Sequence, residues 1–372
     1  MAQQLYFSRD TKVYVAIGSD IWEMPVLDGY AFSQATNSSE ITLAEMESSA
    51  GVSRRGRRAF NDSLAPAEWS FSTYVRPFKT AGSGTGAANG TANEHHAVEE
   101  VLWALMAGDA SYSSYDFTGF TRDTTDLNID FDSSNKSTLG TCTLYFVLGN
   151  ANKKVYSLTS AVVNEASIDF DIDGLATINW SGFASNIVEA SEPTATVTED
   201  ITATDNFIRN RLSVLTVVPT TQDPDGDSTN ELEASYSLTL TGGNITISNN
   251  ITYITPEELG KVNLPVGHVT GTRSIGGNFT CYLSKDTAAS NNSSDFWADM
   301  KDISNVITNS FALTFKIGGS SATPRLEIAM PTCHVEIPTH DVADVISVTT
   351  NFMALPSTID ETDEATLTYV GA

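Results

Sequence analysis

SIDFDID (167–173) and ATINWSGF (176–183) are the stretches that decide how this chain folds. In the first, Ile168, Phe170 and Ile172 alternate with Asp169, Asp171 and Asp173, the period-2 pattern of a strand with one apolar and one polar face. DLNIDFD (126–132) repeats it, setting Leu127, Ile129 and Phe131 against Asp126, Asn128, Asp130 and Asp132. Working outward, β-rich runs fill the chain: TKVYVAI (11–17), WSFSTYV (69–75), CTLYFVL (142–148), SYSLTLT (235–241), NITIS (244–248) and NFTCYL (278–283). FALTFKI (311–317), PRLEIAM (324–330), HVEI (334–337) and VISVTTNF (345–352) complete them. The reading is an all-β protein with two helices. One is expected over Asn93–Ala107, with Val98, Val101, Leu102 and Leu105 on a stripe and Asn93 as N-cap. The other is expected over Ser293–Ile307, with Phe296, Trp297, Met300, Ile303 and Ile307 on a stripe and Ser293 or Ser294 as cap.

Of the 372 residues 41% are hydrophobic, enough for a core, but only 18% are charged, and 46 Asp+Glu against 20 Lys+Arg give a net charge of −26. Such a surface is mostly Ser, Thr, Asn and Gly, repels nucleic acid and anionic lipid, and has no basic footprint. Cys142, Cys281 and Cys333 form no CxxC pair and read as buried thiols. The first residues lack the basic and apolar regions of a signal peptide, and no run approaches the ~18 apolar residues of a membrane helix.

The helices occupy equivalent places in a longer repeat. Phe7-Ser8-Arg9 compares with Phe207-Ile208-Arg209, Ile41–Met46 with Ile254–Leu259, and Phe71–Tyr74 with Phe279–Tyr282. Leu144–Gly149 matches Leu313–Gly318, and strands ending in Phe183 and Phe352 close each copy. Five matches in one order argue for tandem duplication: residues 1–190, an acidic linker 191–204, and 205–372.

The segments NFIRNRLS (206–213), DIDGLATINWSG (171–182) and TPEELG (255–260), within this order of elements, resemble the tail-tube proteins of long-tailed phages. The resemblance implies a β-sandwich or barrel per copy, part of its sheet joined around a ring, a helix on the flank and a long loop reaching the next ring. A fused pair resembles the subset in which three double-domain subunits make a pseudo-sixfold ring. It further implies a virion structural protein, not an enzyme and without cofactor. Its partners would be itself and other tail proteins (terminator, tape measure, baseplate or tip), with DNA passing through unbound and no membrane.

Rows of Asp are poor strand formers and repel one another, so they need a reason. An acidic channel wall supplies one. The expected lumen residues are Asp169, Asp171 and Asp173, or Asp126, Asp130 and Asp132, with Glu336 near His340 and Asp341 in the second copy. The cluster Arg54, Arg55, Arg57 and Arg58, with Arg273, is expected to dock on a neighbouring ring through carboxylates. DPDGDS (223–228) begins like a calcium loop, but Ser228 and Ala234 stand where that loop has Gly and Glu, so it reads as an acidic hairpin tip. GSGTG (82–86) fits no phosphate-loop pattern, and His95-His96 with Glu99 and Glu100 do not form HExxH. The rival reading is a β-sandwich adhesin or surface-layer protein.

Overall fold

The alternating runs become strands in the computed structural model, which describes residues 5–371 apart from 41–58, 81–91, 109, 115, 132–138, 198–205, 260–261, 286–290, 304–309, 320–323 and 360. The first half contains β1 (Lys12–Ile17), β2 (Asp20–Met24), β3 (Ala31–Glu40), β4 (Ala59–Tyr74), β5 (Pro77–Lys79), β6 (His95–Ala97) and helix α1 (Glu100–Ala107). Then come β7 (Tyr112–Ser113), β8 (Asp116–Phe117), β9 (Phe120–Arg122), β10 (Asp126–Asp130), β11 (Cys142–Leu148), β12 (Lys154–Asp171), β13 (Thr177–Ala184) and β14 (Asn186–Glu189). The second half contains β15 (Val214–Pro219), β16 (Tyr236–Leu238), β17 (Leu240–Ser248), β18 (Thr252–Ile254), β19 (Gly267–Val269), β20 (Ser274–Tyr282) and helix α2 (Ser293–Asp302). It ends with β21 (Phe311–Ile317), β22 (Arg325–Val335), β23 (Thr339–Val342), β24 (Ile346–Ala354) and β25 (Thr366–Val370).

One antiparallel sheet organises the molecule. Across it β3 pairs with β4, β4 with β13, and β13 with the C-terminal part of β12. That part pairs in turn with β17, then β20, β24, and finally the end of β22 continued by β23. Each half of the chain supplies four of these strand positions. The N-terminal part of β12 leaves the sheet to pair with β11 and β14, and the N-terminal part of β22 pairs with β21 and β25. Register shifts at Cys142/Leu144 and Phe311/Leu313 mark these departures; a bulge bends a strand so that it can serve two sheets.

Between the layers lies one core that runs through both halves, with Ile168, Phe170, Ile178 and Trp180 packed in the same cluster as Phe279, Phe315 and Phe352. Phe170 meets Phe315 at 5.6 Å. Trp180 sits edge-on to Trp103 at 4.7 Å and donates its indole N–H to Thr73 Oγ1 at 2.9 Å. The glycine of INWSGF is obligatory: a Cβ at Gly182 would lie 2.0 Å from the Val162 carbonyl and 2.7 Å from the Trp69 ring.

Both expected helices exist but start or pack differently. α1 begins at Glu100, not Asn93, because the preceding backbone is taken by a hairpin: β6 pairs with β5, and Asn93 turns at φ 67°. All eight of its residues are buried, so it is a core helix against β12 and β10, not a flank helix. α2 is capped by Asn292, whose side chain accepts from the N–H groups of Ser294 and Asp295; only Ser293, Phe296 and Met300 of the helix are buried. The expected linker is partly anchored, since Thr196 and Val197 donate to the Ile21 carbonyl and Val197 is buried. The matched Phe183 and Phe352 differ in setting: Phe352 is in the main core, whereas half-buried Phe183 faces Tyr253 outside it. The three cysteines are buried free thiols.

α1 also carries buried charge. Burial pushes the Glu99 carboxyl up to about 7, outweighing the hydrogen bond from Tyr369 Oη (2.7 Å) and the charge of Arg76. Tyr369, on the last strand, accepts from the Trp103 indole at 2.6 Å, so the C-terminus is tied to α1 by polar contacts as well as by β-pairing. Because the folded state holds the Glu99 proton more tightly than the unfolded chain, this group's stabilisation is complete below about pH 4.5. It is lost as pH rises through about 7. Glu99→Gln should therefore gain stability relative to the native chain between pH 5 and pH 8, by up to about 3 kcal/mol. Urea denaturation at both pH values measures this, and a difference independent of pH would contradict it.

Candidate functional site

The strand segments of the large sheet contain no Lys or Arg. Their outward positions are Ser70, Ser72 and Tyr74 on β4, Thr177, Asn179 and Ser181 on β13, and Glu165, Ser167, Asp169 and Asp171 on β12. The second half continues the face with Asn244 and Thr246 on β17, Asn278 and Thr280 on β20, Thr349 and Asn351 on β24, then Glu336, Thr339 and Asp341. Ser, Thr and Asn dominate, and every outward charge apart from His is a carboxylate.

These side chains are knitted together across the strands. Ser72 Oγ donates to Asn179 Oδ1 at 2.7 Å, and Asn179 Nδ2 donates to Asp169 Oδ2 at 3.0 Å. Asn244 Nδ2 donates to the other oxygen, Asp169 Oδ1, at 2.5 Å, and Thr246 Oγ1 donates to Asn244 Oδ1 at 2.8 Å. The chain of bonds thus crosses the β12–β17 seam where the two halves of the polypeptide meet. At the far edge Asn351 Nδ2 donates to Glu336 Oε2 at 2.7 Å. A carboxylate flanked by amide donators on neighbouring strands offsets the poor β-propensity of Asp. Sequence reading missed these asparagines, although NITIS, NFTCYL and VTTNF each place Asn or Thr at alternate positions.

The two Asp rows lie on different sheets. Asp169 and Asp171 are exposed on the large sheet, with Asp173 exposed in the turn beyond it. Asp126 and Asp130 are half-buried on β10, which pairs with β9 and β25. There Asp126 accepts from Asn128 (2.7 Å) and Asp130 from Thr366 (3.0 Å), while Arg325 and Lys316 flank Glu327 on the same group of strands. Asp132 and Arg54, Arg55, Arg57 and Arg58 lie outside the described residues, as do Ile41–Met46 and the GSGTG loop. Arg273 is used within the chain: its Nη2 donates to Glu364 (2.5 Å), the Phe131 carbonyl (2.7 Å) and the Thr362 carbonyl (3.0 Å). A guanidinium so enclosed is not a free contact for a neighbouring ring. In the 223–228 hairpin Asp223 accepts from the N–H groups of Gly226, Asp227 and Ser228, as a turn-forming Asp does.

The sheet ends in two open edges. β3 pairs only with β4, and β23 only with β24, among the described residues. All four residues of β23 are exposed, Val342 by 77%. Exposed backbone donors and acceptors on such edges invite pairing with another chain.

No protein-family model matches the chain. It is 28% identical over 381 residues to tail tube protein pb6 of Escherichia phage T5, covering 98% of this chain and 76% of that relative. The chain is thus a homologue of a phage tail tube protein, a structural protein of the virion tail. No helix among the described residues is long and apolar enough to cross a membrane.

Proposed function

We propose that this homologue of a phage tail tube protein is a tube subunit, three copies of which close into a pseudo-sixfold ring whose lumen is lined by the large sheet. The observation that carries the reading is the sheet itself: four strands from each half, a seam already formed inside the chain, and an open edge at either side. At the seam, β12 and β17 pair antiparallel from Glu165–Ser248 to Asp171–Gly242. The tandem reading (1–190, linker 191–204, 205–372) makes β17 the counterpart of β3, and β22 with β23 the counterpart of β12. The β22–β23 edge of one copy then pairs with β3 of the next as β12 pairs with β17, satisfying the exposed backbone groups without new geometry.

The lumen follows from the charge. DNA carries one negative charge about every 1.7 Å of axis, so a wall of hydroxyls, amides and carboxylates without cations offers no phosphate a partner. Repulsion extends through a screening length of about 8 Å at physiological salt and keeps the passing duplex from adhering. Asp169 and Asp171, with Asp173, Glu336 and Asp341, are the lumen carboxylates in this reading; Asp126 and Asp130 belong to the sheet behind. The role is mechanical and electrostatic, with no catalysis or cofactor, and partners are further copies and the proteins at the tube's two ends. Purified protein imaged in negative stain should show rings or tubes with a central hole. Material that stays monomeric at high concentration would contradict the proposal.

A further inference from the structure

The two halves of the chain open alike but are covered unlike. A single 3-10 turn, Ser8–Asp10 in one and Asn210–Leu212 in the other, leads into β1 and β15. Those strands pair in the same register, Lys12 opposite Val147 and Val214 opposite Lys316. Tyr6 and Ile208 then hold one position: a Cβ added to Gly149, just beyond β11, would lie 2.7 Å from the Tyr6 ring, and one added to Gly318, just beyond β21, 2.7 Å from Ile208. Leu5-Tyr6-Phe7 thus stands where Phe207-Ile208-Arg209 stands, two residues away from the sequence match of Phe7 with Phe207. In the second half this segment is seated on the first. Phe207 packs edge-on to Tyr74 at 5.3 Å, with the Arg76 guanidinium over its ring at 5.7 Å. The Ile208 carbonyl accepts from the Ala176 N–H at 2.8 Å, Arg209 bridges to Leu175, and Ile208 is buried. Leu5, Tyr6 and Phe7 are all exposed, Leu5 by 70%.

The seat is present twice as well. Val75 N–H donates to the Ala176 carbonyl at 3.0 Å, and Leu283 N–H donates to the Ile346 carbonyl at 2.9 Å. Tyr74 lies opposite Thr177 and Tyr282 opposite Ser347 in the two strand pairs. Tyr282, Val345 and Ile346 are therefore the counterparts of Tyr74, Leu175 and Ala176. All three are exposed, and so is Asp344 on the same turn.

We infer that Leu5–Phe7 of one copy seats on Tyr282, Val345 and Ile346 of its neighbour, as Phe207–Arg209 seats inside the chain on Tyr74, Leu175 and Ala176. Leu5 covers the Tyr282 ring, and the backbone of Tyr6 lies along Val345 and Ile346. The exchange is matched on both sides: Phe207 meets the cation of Arg76, whereas Leu5 meets Ser284 at the equivalent place and needs none. Arg9, which stacks on Phe7 at 5.4 Å, faces Asp344, as Arg211 faces Asp173 at 4.0 Å. The seat follows directly on β23, one of the two open edges, so the segment covers apolar side chains that backbone pairing leaves in water. The contact deepens the ring reading and rests on it: the joint between copies is held by an apolar strap as well as by paired strands.

Substitution and photocrosslinking test the strap. Leu5→Asp with Phe7→Asp alters two exposed side chains, so the subunit should fold and melt as before. The concentration needed for rings should rise at least roughly tenfold, because each joint would then bury two carboxylates against apolar side chains. Tyr282→Asp should act in the same direction from the other side of the joint, and Leu5→Met with Phe7→Leu should leave assembly unchanged. With benzoylphenylalanine at position 5, a ring that Phe207 shows the seat can hold, irradiated assemblies should contain covalently joined chains. Peptide mass spectrometry should place the attachment at Tyr282, Val345 or Ile346 of a second copy, identified by mixing isotopically light and heavy chains. Rings at the native concentration from the Leu5→Asp, Phe7→Asp variant, or attachment only within one chain or elsewhere, would overturn the inference. Absence of rings from the unaltered chain would overturn the assembly reading beneath it, and the strap with it.

Discussion

Replacing Asp169, Asp171 and Asp173 with lysine should turn the acidic face proposed to line the lumen into one that holds DNA. Three exposed carboxylates become three ammonium groups at one end of the sheet face, repeated in every subunit of the proposed ring. Each phosphate neutralised releases condensed counterions, so the logarithm of affinity should fall with the logarithm of salt by about 0.9 per contact. A wall engaging about 6–10 phosphates would lose roughly 10³–10⁵ in affinity between 50 and 200 mM salt. Binding of labelled duplex to assembled material across that range is the measurement. Asp169 also bridges Asn179 and Asn244, so the Asp171→Lys, Asp173→Lys variant separates DNA retention from any effect on the seam. DNA binding unchanged in both variants, with assembly intact, would show that this face is not the one DNA meets.

Arg122→Met should destabilise the fold by about 3–5 kcal/mol, because it leaves a buried carboxylate without its cation. Burial alone would raise the Glu100 carboxyl, but Arg122 and His96 hold it down at about 2. Arg122 Nη2 lies 3.4 Å from Glu100 Oε2, His96 Nδ1 lies 3.1 Å from the same oxygen, and both Glu100 and the Arg122 side chain are nearly inaccessible. Losing Arg122 removes the principal attraction and leaves the burial cost. The carboxyl should respond by taking up a proton, so the loss should shrink as pH falls from 7 toward 5. Denaturation midpoints of the two proteins at both pH values measure it; a loss below about 1 kcal/mol at pH 7 would place the pair among exposed ones.

The fold was legible where alternation was strong. FALTFKI became a strand with its apolar residues inward, as did CTLYFVL for Leu144 and Phe146, whereas SIDFDID turned Ile168 and Phe170 inward but left Ile172 exposed beyond the end of β12. The helix boundaries failed for local reasons: Asn93 looked like a cap, but His95–Ala97 gained more by pairing with Pro77–Lys79. Ala31–Glu40 and Thr366–Val370 went unread because they are polar or short, and their stability comes from partners distant in sequence, β4 for one and both β10 and β22 for the other. That pairing information is not local. The Asp rows were seen as rows, but which sheet each occupies depended on pairing: Asp126 and Asp130 lie beside β25, whereas Asp169 lies beside β17. Arg273 looked available only because Glu364, its partner, is 91 residues away.

The most direct test of ring closure is a disulfide across the proposed joint. Ser167 faces Thr246 at the internal seam. Tracing the equivalent pairings, Ser33–Glu68 on β3–β4 and Thr339–Thr349 on β23–β24, places Thr339 of one copy opposite Ser33 of the next. Directly opposed residues on antiparallel strands have Cα atoms about 4.5–5.5 Å apart, within disulfide range. The Ser33→Cys, Thr339→Cys double variant, oxidised after assembly, should run on a non-reducing gel as a covalent trimer, with each single variant remaining monomeric. A monomer band from assembled double variant, or a ladder without a stop at three, would contradict the account.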